Sequence, residues 1–273
     1  MIRAAITSFA LSFMLVATPG GAHNDVSSPT VISSSEPTLN SSSLALLSFA
    51  EKKEAYQEHV QGVYQKAGLK NAGLSFSVFE RAYTGYQNFR QQGVASADKP
   101  VMTVVDFTKP SNVKRMWIID IKSGKVLYNT LVAHGRNTGN VKAEMFSNEP
   151  NSNMSSMGFY VTDHTYYGKH GLSLRLSGKD EKYNSNAMER AIVLHGADYV
   201  SDAFVKQYGR LGRSLGCPAV PREISGDVID LIKDNTVLYI HTADKKYTSA
   251  YLNAELAVEA FALEMDMRQQ LGA

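Results

Sequence analysis

The hydrophobic pattern of the chain changes its period near Lys99, and this change constrains the fold more than any other feature. Beyond it, β-branched and aromatic residues form short runs separated by turn-forming residues such as Lys109-Pro110-Ser111-Asn112 and Ser123-Gly124-Lys125. Runs of this kind between such turns are typical of β-strands. The predicted strands are Val101–Phe107, Val113–Ile121, Val126–Ala133, Met157–Asp163, Leu172–Leu176, Ala191–Leu194 and Val237–His241. The first three should pair as antiparallel neighbours, and the middle of the chain should be mainly β.

Apolar residues recur at helical spacing on both sides of this β-rich region. One helix is expected between Leu44 and Lys66, and a second follows Gly73 with aromatic residues on one face. Those residues are Phe76, Phe79, Tyr83, Tyr86 and Phe89. Their period favours a buried helix face over an aromatic platform for sugars. Ile224–Lys233 should form a short helix and Tyr251–Leu271 a terminal helix that packs on the sheet, with a partner-binding helix as the alternative, so the chain is predicted to be α+β overall.

The first residues match a secretory signal peptide. Met1-Ile2-Arg3 is followed by an apolar run from Ala4 to Ala17 and by small residues at Gly20 and Ala22. This run is too short for a membrane span, and the small residues suit a cleavage site. We therefore expect a signal peptide over residues 1–22, a serine-rich linker over 23–43 and export without stable membrane insertion.

Composition excludes several classes of protein. The chain has 273 residues but one cysteine, Cys217, which can form neither an intramolecular disulfide nor a cysteine-rich zinc site. With 28 Lys and Arg against 26 Asp and Glu, no excess of positive charge indicates nucleic acid as a partner. Cys217 is therefore inert filler, a reactive thiol or a link to another chain.

Two segments bring together groups that suit acyl transfer. An apolar run ends in His195-Gly196, which predicts an imidazole at a sheet edge where the backbone can approach a substrate. Cys217 follows in the glycine-dense turn 212–218. An imidazole can take the thiol proton, and the amides of Gly216 and Cys217 can donate to a developing oxyanion. A solitary cysteine is often a small buried hydrophobe, but a lone thiol in an exported chain, set in a turn, favours a nucleophile.

These residues resemble the YkuD-type L,D-transpeptidase catalytic domain, and more closely its divergent YkuD_2 branch. The resemblance runs from about Val101 to His241 and is carried by Val132-Ala133-His134-Gly135-Arg136, Ser155-Ser156-Met157-Gly158-Phe159, Gly168-Lys169-His170-Gly171 and the run from Gly209 to Val220. It implies a β-sandwich or barrel catalytic domain over residues 99–243, while the helical patterns on either side predict an N-terminal subregion over 44–98 and a C-terminal helix over 244–273. It also implies a periplasmic or cell-wall-associated enzyme that needs no cofactor.

The resemblance implies a two-step exchange on peptidoglycan stem peptides. His195, oriented by the carbonyl of Gly196, would deprotonate Cys217, whose sulfur attacks the carbonyl of the third residue of a tetrapeptide stem. D-Alanine leaves, and an amine of a second stem takes the acyl group to give a 3-3 cross-link. Water or another amine as acceptor would instead make the protein an L,D-carboxypeptidase or a related acyltransferase.

The sequence departs from the main family pattern at two places. Leu215 stands where the family has a histidine, although Ser214, Gly216 and Cys217 match, and the arginine expected two residues past the cysteine is missing. Because a guanidinium can hold a peptide carboxylate, Arg213 and Arg210 are candidate substitutes, with ordinary surface roles as the alternative. The departures leave a catalytically degenerate cell-wall-binding module as a second hypothesis.

Three further side chains are candidate substrate contacts. They are His134, His170 and Tyr167, each with a structural role as the alternative, and Ser214, beside Cys217, is a candidate substrate contact as well. His134 and His170 with His195 could also form a three-histidine zinc site, but the sequence has no HExxH motif or closely spaced ligand pair. No metal is therefore expected.

Overall fold

The computed structural model describes residues 43–270, so the predicted signal peptide and all but the last residue of the predicted linker lie outside the described residues. Within this part the helices are α1 (Phe49–Lys66), α2 (Phe76–Gln91), α3 (Asp202–Tyr208), α4 (Ser225–Ile232) and α5 (Ala254–Gln270). Short 3-10 turns occur at Leu44–Leu46, Ser185–Ala187, Arg222–Ile224 and Ala250–Leu252. None of the helices in the described part is long and apolar enough to cross a membrane.

Eight strands form one sheet. They are β1 (Val101–Asp106), β2 (Met116–Asp120), β3 (Lys125–Thr130), β4 (Gly158–Gly168), β5 (Gly171–Gly178), β6 (Val193–Ala197), β7 (Ala219–Pro221) and β8 (Val237–His241). Their order is β3-β2-β1-β8-β4-β5-β6-β7. The β1–β8 and β6–β7 pairs are parallel and the other pairs are antiparallel.

The two edges of the sheet approach each other. The segment that follows β3 forms an antiparallel bridge from Ala133 to Ala219 of β7 and a parallel bridge from Gly135 to Ser214. The Ala133 amide donates to the Ala219 carbonyl at 2.8 Å. The sheet is therefore nearly closed, and the contact between its edges lies beside the turn that carries Cys217.

The sheet separates two hydrophobic cores. On one face α1, α2 and α5 cover side chains that include Trp117, Phe159 and Tyr239, and on the other face α4 covers a second cluster. Gly85 lets α2 approach the sheet closely, since a Cβ there would lie 2.2 Å from the Phe159 ring. In α1 the Ser48 hydroxyl and the Glu51 carboxylate form a reciprocal capping box, which satisfies amides that the first turn would leave free.

The mainly β fold with flanking helices agrees with the sequence prediction, but several boundaries were wrong. The strand expected over Ala191–Leu194 begins at Val193 and includes His195, because Ala191 has a φ of 52°, which a strand does not accommodate. Strand β7 and helix α3 were missed: β7 has three residues, and α3 has seven residues, none of them buried. The aromatic face of α2 is core, since Phe79, Tyr83, Tyr86 and Phe89 are all buried.

Candidate active site

His195 lies in the middle of β6 with its ring almost fully buried. Its Nδ1 lies 3.0 Å from the Gly196 carbonyl oxygen. A carbonyl can only accept, so Nδ1 carries the proton and the neutral ring presents Nε2 as an acceptor. Burial lowers the pKa of His195 below its ordinary value, and the neighbouring His170 lowers it further, while the bond to Gly196 acts in the opposite direction. At neutral pH the ring is therefore an unprotonated base.

Cys217 precedes β7, which runs parallel to β6 with Ala219 opposite His195. This register places the thiol beside Val193, whose amide donates to Sγ at 3.5 Å. The thiol in turn donates to the Ala191 carbonyl at 3.7 Å. Burial raises the pKa of Cys217, and the Val193 amide and the Arg190 guanidinium offset part of that rise. Among residues 43–270 the thiol and the His195 ring form no hydrogen bond with each other. Because the pKa of Cys217 is raised and that of His195 is lowered, the resting pair is a neutral thiol and a neutral imidazole.

Ser214 closes the turn over residues 212–218, which carries the candidate nucleophile Cys217 and is called the nucleophile turn below. Its hydroxyl donates to the Cys217 carbonyl at 2.7 Å and accepts from the Gly216 amide at 3.0 Å. Of the two predicted oxyanion donors, the Gly216 amide already donates its hydrogen bond to Ser214. In the described part of the chain the Cys217 amide donates to no other residue and acts only on its own thiol, so it can donate to a bound oxyanion. Gly216 itself has a φ of 134°.

The buried guanidinium of Arg115 lies next to His134. The Arg115 guanidinium is fully buried and donates to the carbonyls of Val132 and Lys109, and Nη2 lies 2.8 Å from Nδ1 of His134. Burial lowers the pKa of His134 to about 4, and Arg115 contributes to this shift. Because Nδ1 accepts from Arg115, the ring proton lies on Nε2, which donates to the carbonyl of Gly139 at 3.3 Å.

His134 thus belongs to the scaffold. Its side chain has no solvent exposure and both ring nitrogens are engaged, which does not fit the prediction that it contacts substrate. Its carbonyl accepts from the Ser214 amide at 3.0 Å and so fixes one end of the nucleophile turn. Ser155 fixes the other end, since its hydroxyl donates to the Gly216 carbonyl at 2.9 Å.

The two arginines predicted to hold a carboxylate are both bound to the protein backbone. Arg213 donates through Nη1 to the carbonyls of Gly139 at 3.1 Å and Arg136 at 3.3 Å, which ties the 136–139 loop to the nucleophile turn. Arg210 donates to the carbonyl of Leu211 at 2.7 Å. Leu215, at the position of the family histidine, is 56% exposed and so lies outside the packed base of the site.

The β4–β5 hairpin brings His170 to the site and leaves Tyr167 at its tip. The rings of His170 and His195 stack with centroids 4.2 Å apart and an interplanar angle of 19°. Burial and the nearby Lys169 lower the pKa of His170, so two neutral imidazoles face each other. Tyr167 is 83% exposed and touches no other aromatic ring of the described chain. His170 therefore supports the proposed base, and Tyr167 is free to meet a ligand.

The three-histidine zinc alternative is not assembled. His134 is held by Arg115 away from the stacked pair, and residues 43–270 contain no group of three or more His, Cys, Asp or Glu side chains that could hold a metal ion. The sequence reasoning missed Arg190 and Arg115. A single arginine before a strand follows no recognisable pattern, so only the folded chain shows that Arg190 lies beside Gly216 and that Arg115 binds His134, whose carbonyl accepts from the Ser214 amide.

Comparisons with known proteins identify the family to which the chain belongs. A family model described as L,D-transpeptidase catalytic domain, YkuD_2, matches residues 70–241. No curated protein matches the sequence. Among solved structures, an L,D-transpeptidase from Mycobacterium smegmatis is 11% identical, with a TM-score of 0.34 over 52% of this chain and 59% of that one.

A second solved structure, the helical cell shape determining protein Pgp2 from Campylobacter jejuni, is 13% identical, with a TM-score of 0.36 over 68% of this chain and 65% of that one. L,D-transpeptidase 3 from Mycobacterium tuberculosis is 9% identical, with a TM-score of 0.34 over 52% of this chain and 61% of that one. The chain spans about three fifths of the length of these structures. Because the family model covers more than half of the sequence, the chain belongs to the YkuD_2 family of L,D-transpeptidase catalytic domains.

Proposed function

We propose that the chain is an exported cysteine L,D-transpeptidase that forms 3-3 cross-links between peptidoglycan stem peptides, with Cys217 as nucleophile and His195 as base. The observation that carries this proposal is that the single thiol of the chain and an imidazole whose Nε2 is free of a proton lie on neighbouring segments. The imidazole lies on β6, and the thiol lies two residues before β7, the strand that pairs with β6 in parallel.

The first half-reaction forms a thioester. The thiol turns from the Ala191 carbonyl towards Nε2 of His195, which takes its proton, and Sγ forms a bond to the carbonyl carbon of the third stem residue. The Cys217 amide donates to the resulting oxyanion, as backbone amides do in other acyl-transfer sites. His195 then returns the proton to the departing nitrogen, the C–N bond breaks, and D-alanine leaves.

The second half-reaction releases the acyl group. A side-chain amine of another stem attacks the thioester carbon, His195 takes the proton that this amine loses, and the C–S bond breaks to leave a thiolate. The thiolate recovers its proton from His195, so the enzyme ends as it began. No acidic third residue is required, because the Gly196 carbonyl already fixes the tautomer of the base.

The family histidine replaced by Leu215 does not take part in these steps. The side chain of Leu215 is 56% exposed, whereas the oriented base is buried in β6. The missing histidine therefore argues for a change in substrate contact rather than for loss of catalysis. This favours an enzyme over a degenerate binding module.

Incubation of the purified chain with a disaccharide tetrapeptide tests the proposal. Mass spectrometry should show a cross-linked dimer together with one free D-alanine for each bond formed, and Cys217→Ala should abolish both. Tripeptide with D-alanine but no dimer would identify water as the acceptor and make the protein an L,D-carboxypeptidase. If the native chain releases no D-alanine yet binds cell-wall sacculi as well as Cys217→Ala does, the enzyme proposal is wrong and the binding module is correct.

A further inference from the structure

The segment that precedes β6 surrounds the thiol. Ala191 accepts from Sγ through its carbonyl, and Val193 donates to Sγ through its amide. Ala191 adopts a φ of 52°, a left-handed conformation that is rare for a residue with a Cβ and that is found at functional sites. The backbone is thus held in a strained shape that turns two of its polar groups towards one sulfur atom.

Arg190 begins this segment, and its guanidinium is bound entirely by neutral groups. Nη1 donates to the Ser147 carbonyl at 2.6 Å and to the hydroxyl of Ser156, and Nη2 donates to the Met154 carbonyl at 2.6 Å and to the Ser152 hydroxyl at 3.2 Å. Within residues 43–270 no carboxylate lies within ion-pair distance of this guanidinium.

The guanidinium of Arg190 lies against the turn that carries Cys217. A Cβ on Gly216 would lie 3.5 Å from Nη2 of Arg190, which is an ordinary contact distance, and 2.9 Å from the Met154 carbonyl to which Nη2 donates. The cation is therefore a direct neighbour of the residue that precedes Cys217. A half-buried charge without a counter-ion is costly, and such charges are normally paired.

We infer that Arg190 is the electrostatic partner of the Cys217 thiolate, a fixed cation that is paired only when His195 has taken the thiol proton. In the resting enzyme the thiol is neutral and the guanidinium lacks an anion within ion-pair distance, since Glu149 acts on it only from further away. Deprotonation of Cys217 supplies that anion beside a cation already held in place, so little reorganisation is needed. The catalytic part of this inference rests on the proposed function, whereas the effect on the thiol does not.

Other charged groups face the same centre. Lys169 of the β4–β5 hairpin and the phenol of Tyr199 face the thiol, while Glu149 and Tyr160 face the guanidinium. Lys169 is exposed, so water screens its charge more than that of Arg190. Arg190 is therefore the cation whose removal should be felt most at Cys217.

The experiment measures the pKa of Cys217 from the pH dependence of its alkylation by iodoacetamide. Because the chain has one cysteine, the reaction reports this thiol alone. Arg190→Met should raise the pKa by about one unit, the lower end of the range for a neighbouring charge. Arg190→Lys, which keeps the charge and loses most of the hydrogen bonds, should leave it near the wild-type value. Arg268→Met removes an exposed cation on α5, away from the thiol, and is the matched control.

Arg190→Gln replaces Arg190→Met if the latter does not fold, because its amide can still donate to a loop carbonyl. A wild-type pKa in the neutral variant, or an equal rise in the neutral and lysine variants, overturns the inference. If the wild-type chain forms no cross-links but the thiol pKa rises in Arg190→Met, the proposed function is wrong and the inference about Arg190 stands. If the wild-type chain forms cross-links and the thiol pKa rises in Arg190→Met, kcat/KM of this variant at neutral pH should fall about tenfold, in step with the pKa shift.

Discussion

Gly216→Ala is the substitution that best tests the shape of the nucleophile turn. The φ of 134° lies in a region that residues with a Cβ rarely occupy, and forcing alanine there costs on the order of 1–3 kcal/mol. The new methyl group would also lie 2.9 Å from both the Met154 carbonyl and Cδ1 of Ile192. Backbone cannot move aside cheaply, so overpacking adds about 1–3 kcal/mol.

The free energy of unfolding should therefore fall by about 2–6 kcal/mol, which corresponds to a loss of roughly 4–24 °C in Tm for a chain of this size. Activity should fall further than stability, because relief of the contacts with Met154 and Ile192 shifts the backbone next to Cys217 and moves the thiol from the geometry proposed for attack. Thermal unfolding followed by circular dichroism, and the tetrapeptide assay well below Tm, measure the two effects separately.

Gly62→Ala is the matched control. Gly62 lies inside α1, and a methyl group added there would meet no neighbouring atom within 4 Å. Alanine should therefore raise the free energy of unfolding by about 0.5–1 kcal/mol through helix propensity. If Gly216→Ala melted as high as the wild-type chain and retained its rate, the turn would not have the constraint argued above.

Three further perturbations follow from the same geometry. The value of kcat/KM should decline only below the ordinary histidine pKa of about 6.5, because the base must be unprotonated and the pKa of His195 is lowered. His170→Asn removes a stacked ring whose protonation would repel a protonated His195, so it should move this decline to higher pH, and an unmoved pH profile would contradict the effect of His170. Ser214→Ala breaks two hydrogen bonds of the turn and should cost about 1–2 kcal/mol of stability with a larger loss of kcat, to be compared by urea unfolding and steady-state kinetics. Arg115→Met leaves buried acceptors unsatisfied, so the free energy of unfolding in urea should fall by about 2–4 kcal/mol. Arg268→Met is the control and should change the free energy of unfolding by less than about 0.5 kcal/mol. Equal effects of the two substitutions would mean that the buried guanidinium does not support the fold.

The strands could be predicted where the pattern is long, and not where tertiary contacts create them. The runs that became β1 and β8 are continuous and β-branched, so composition alone indicates them. Strand β7 has three residues and ends in Pro221, and it exists because it pairs with β6 and bridges to Ala133. No local signal encodes a strand of that kind.

The candidate site divides in the same way. His195 and Cys217 could be found from sequence because each has an uncommon functional group in a recognisable context. Arg190 and Arg115 could not, because an arginine acquires its role from the carbonyls that surround it, and those come from loops distant in sequence. The surroundings of His134 were equally hidden in the sequence: its motif resembles that of His195, but its Nδ1 is engaged by the Arg115 guanidinium.

A neutral resting pair changes what thiol reactivity can reveal about this protein. Burial raises the pKa of Cys217 and lowers that of His195, and both shifts disfavour a thiolate–imidazolium pair before substrate arrives. Slow alkylation of the free chain at neutral pH would therefore be expected of an active enzyme as well as of a degenerate module. Acylation by a bound ester or β-lactam is the sharper criterion, because the attack on a carbonyl draws the proton onto His195 while Arg190 and the Cys217 amide receive the charge that develops. A degenerate site should fail at that step even with its thiol accessible.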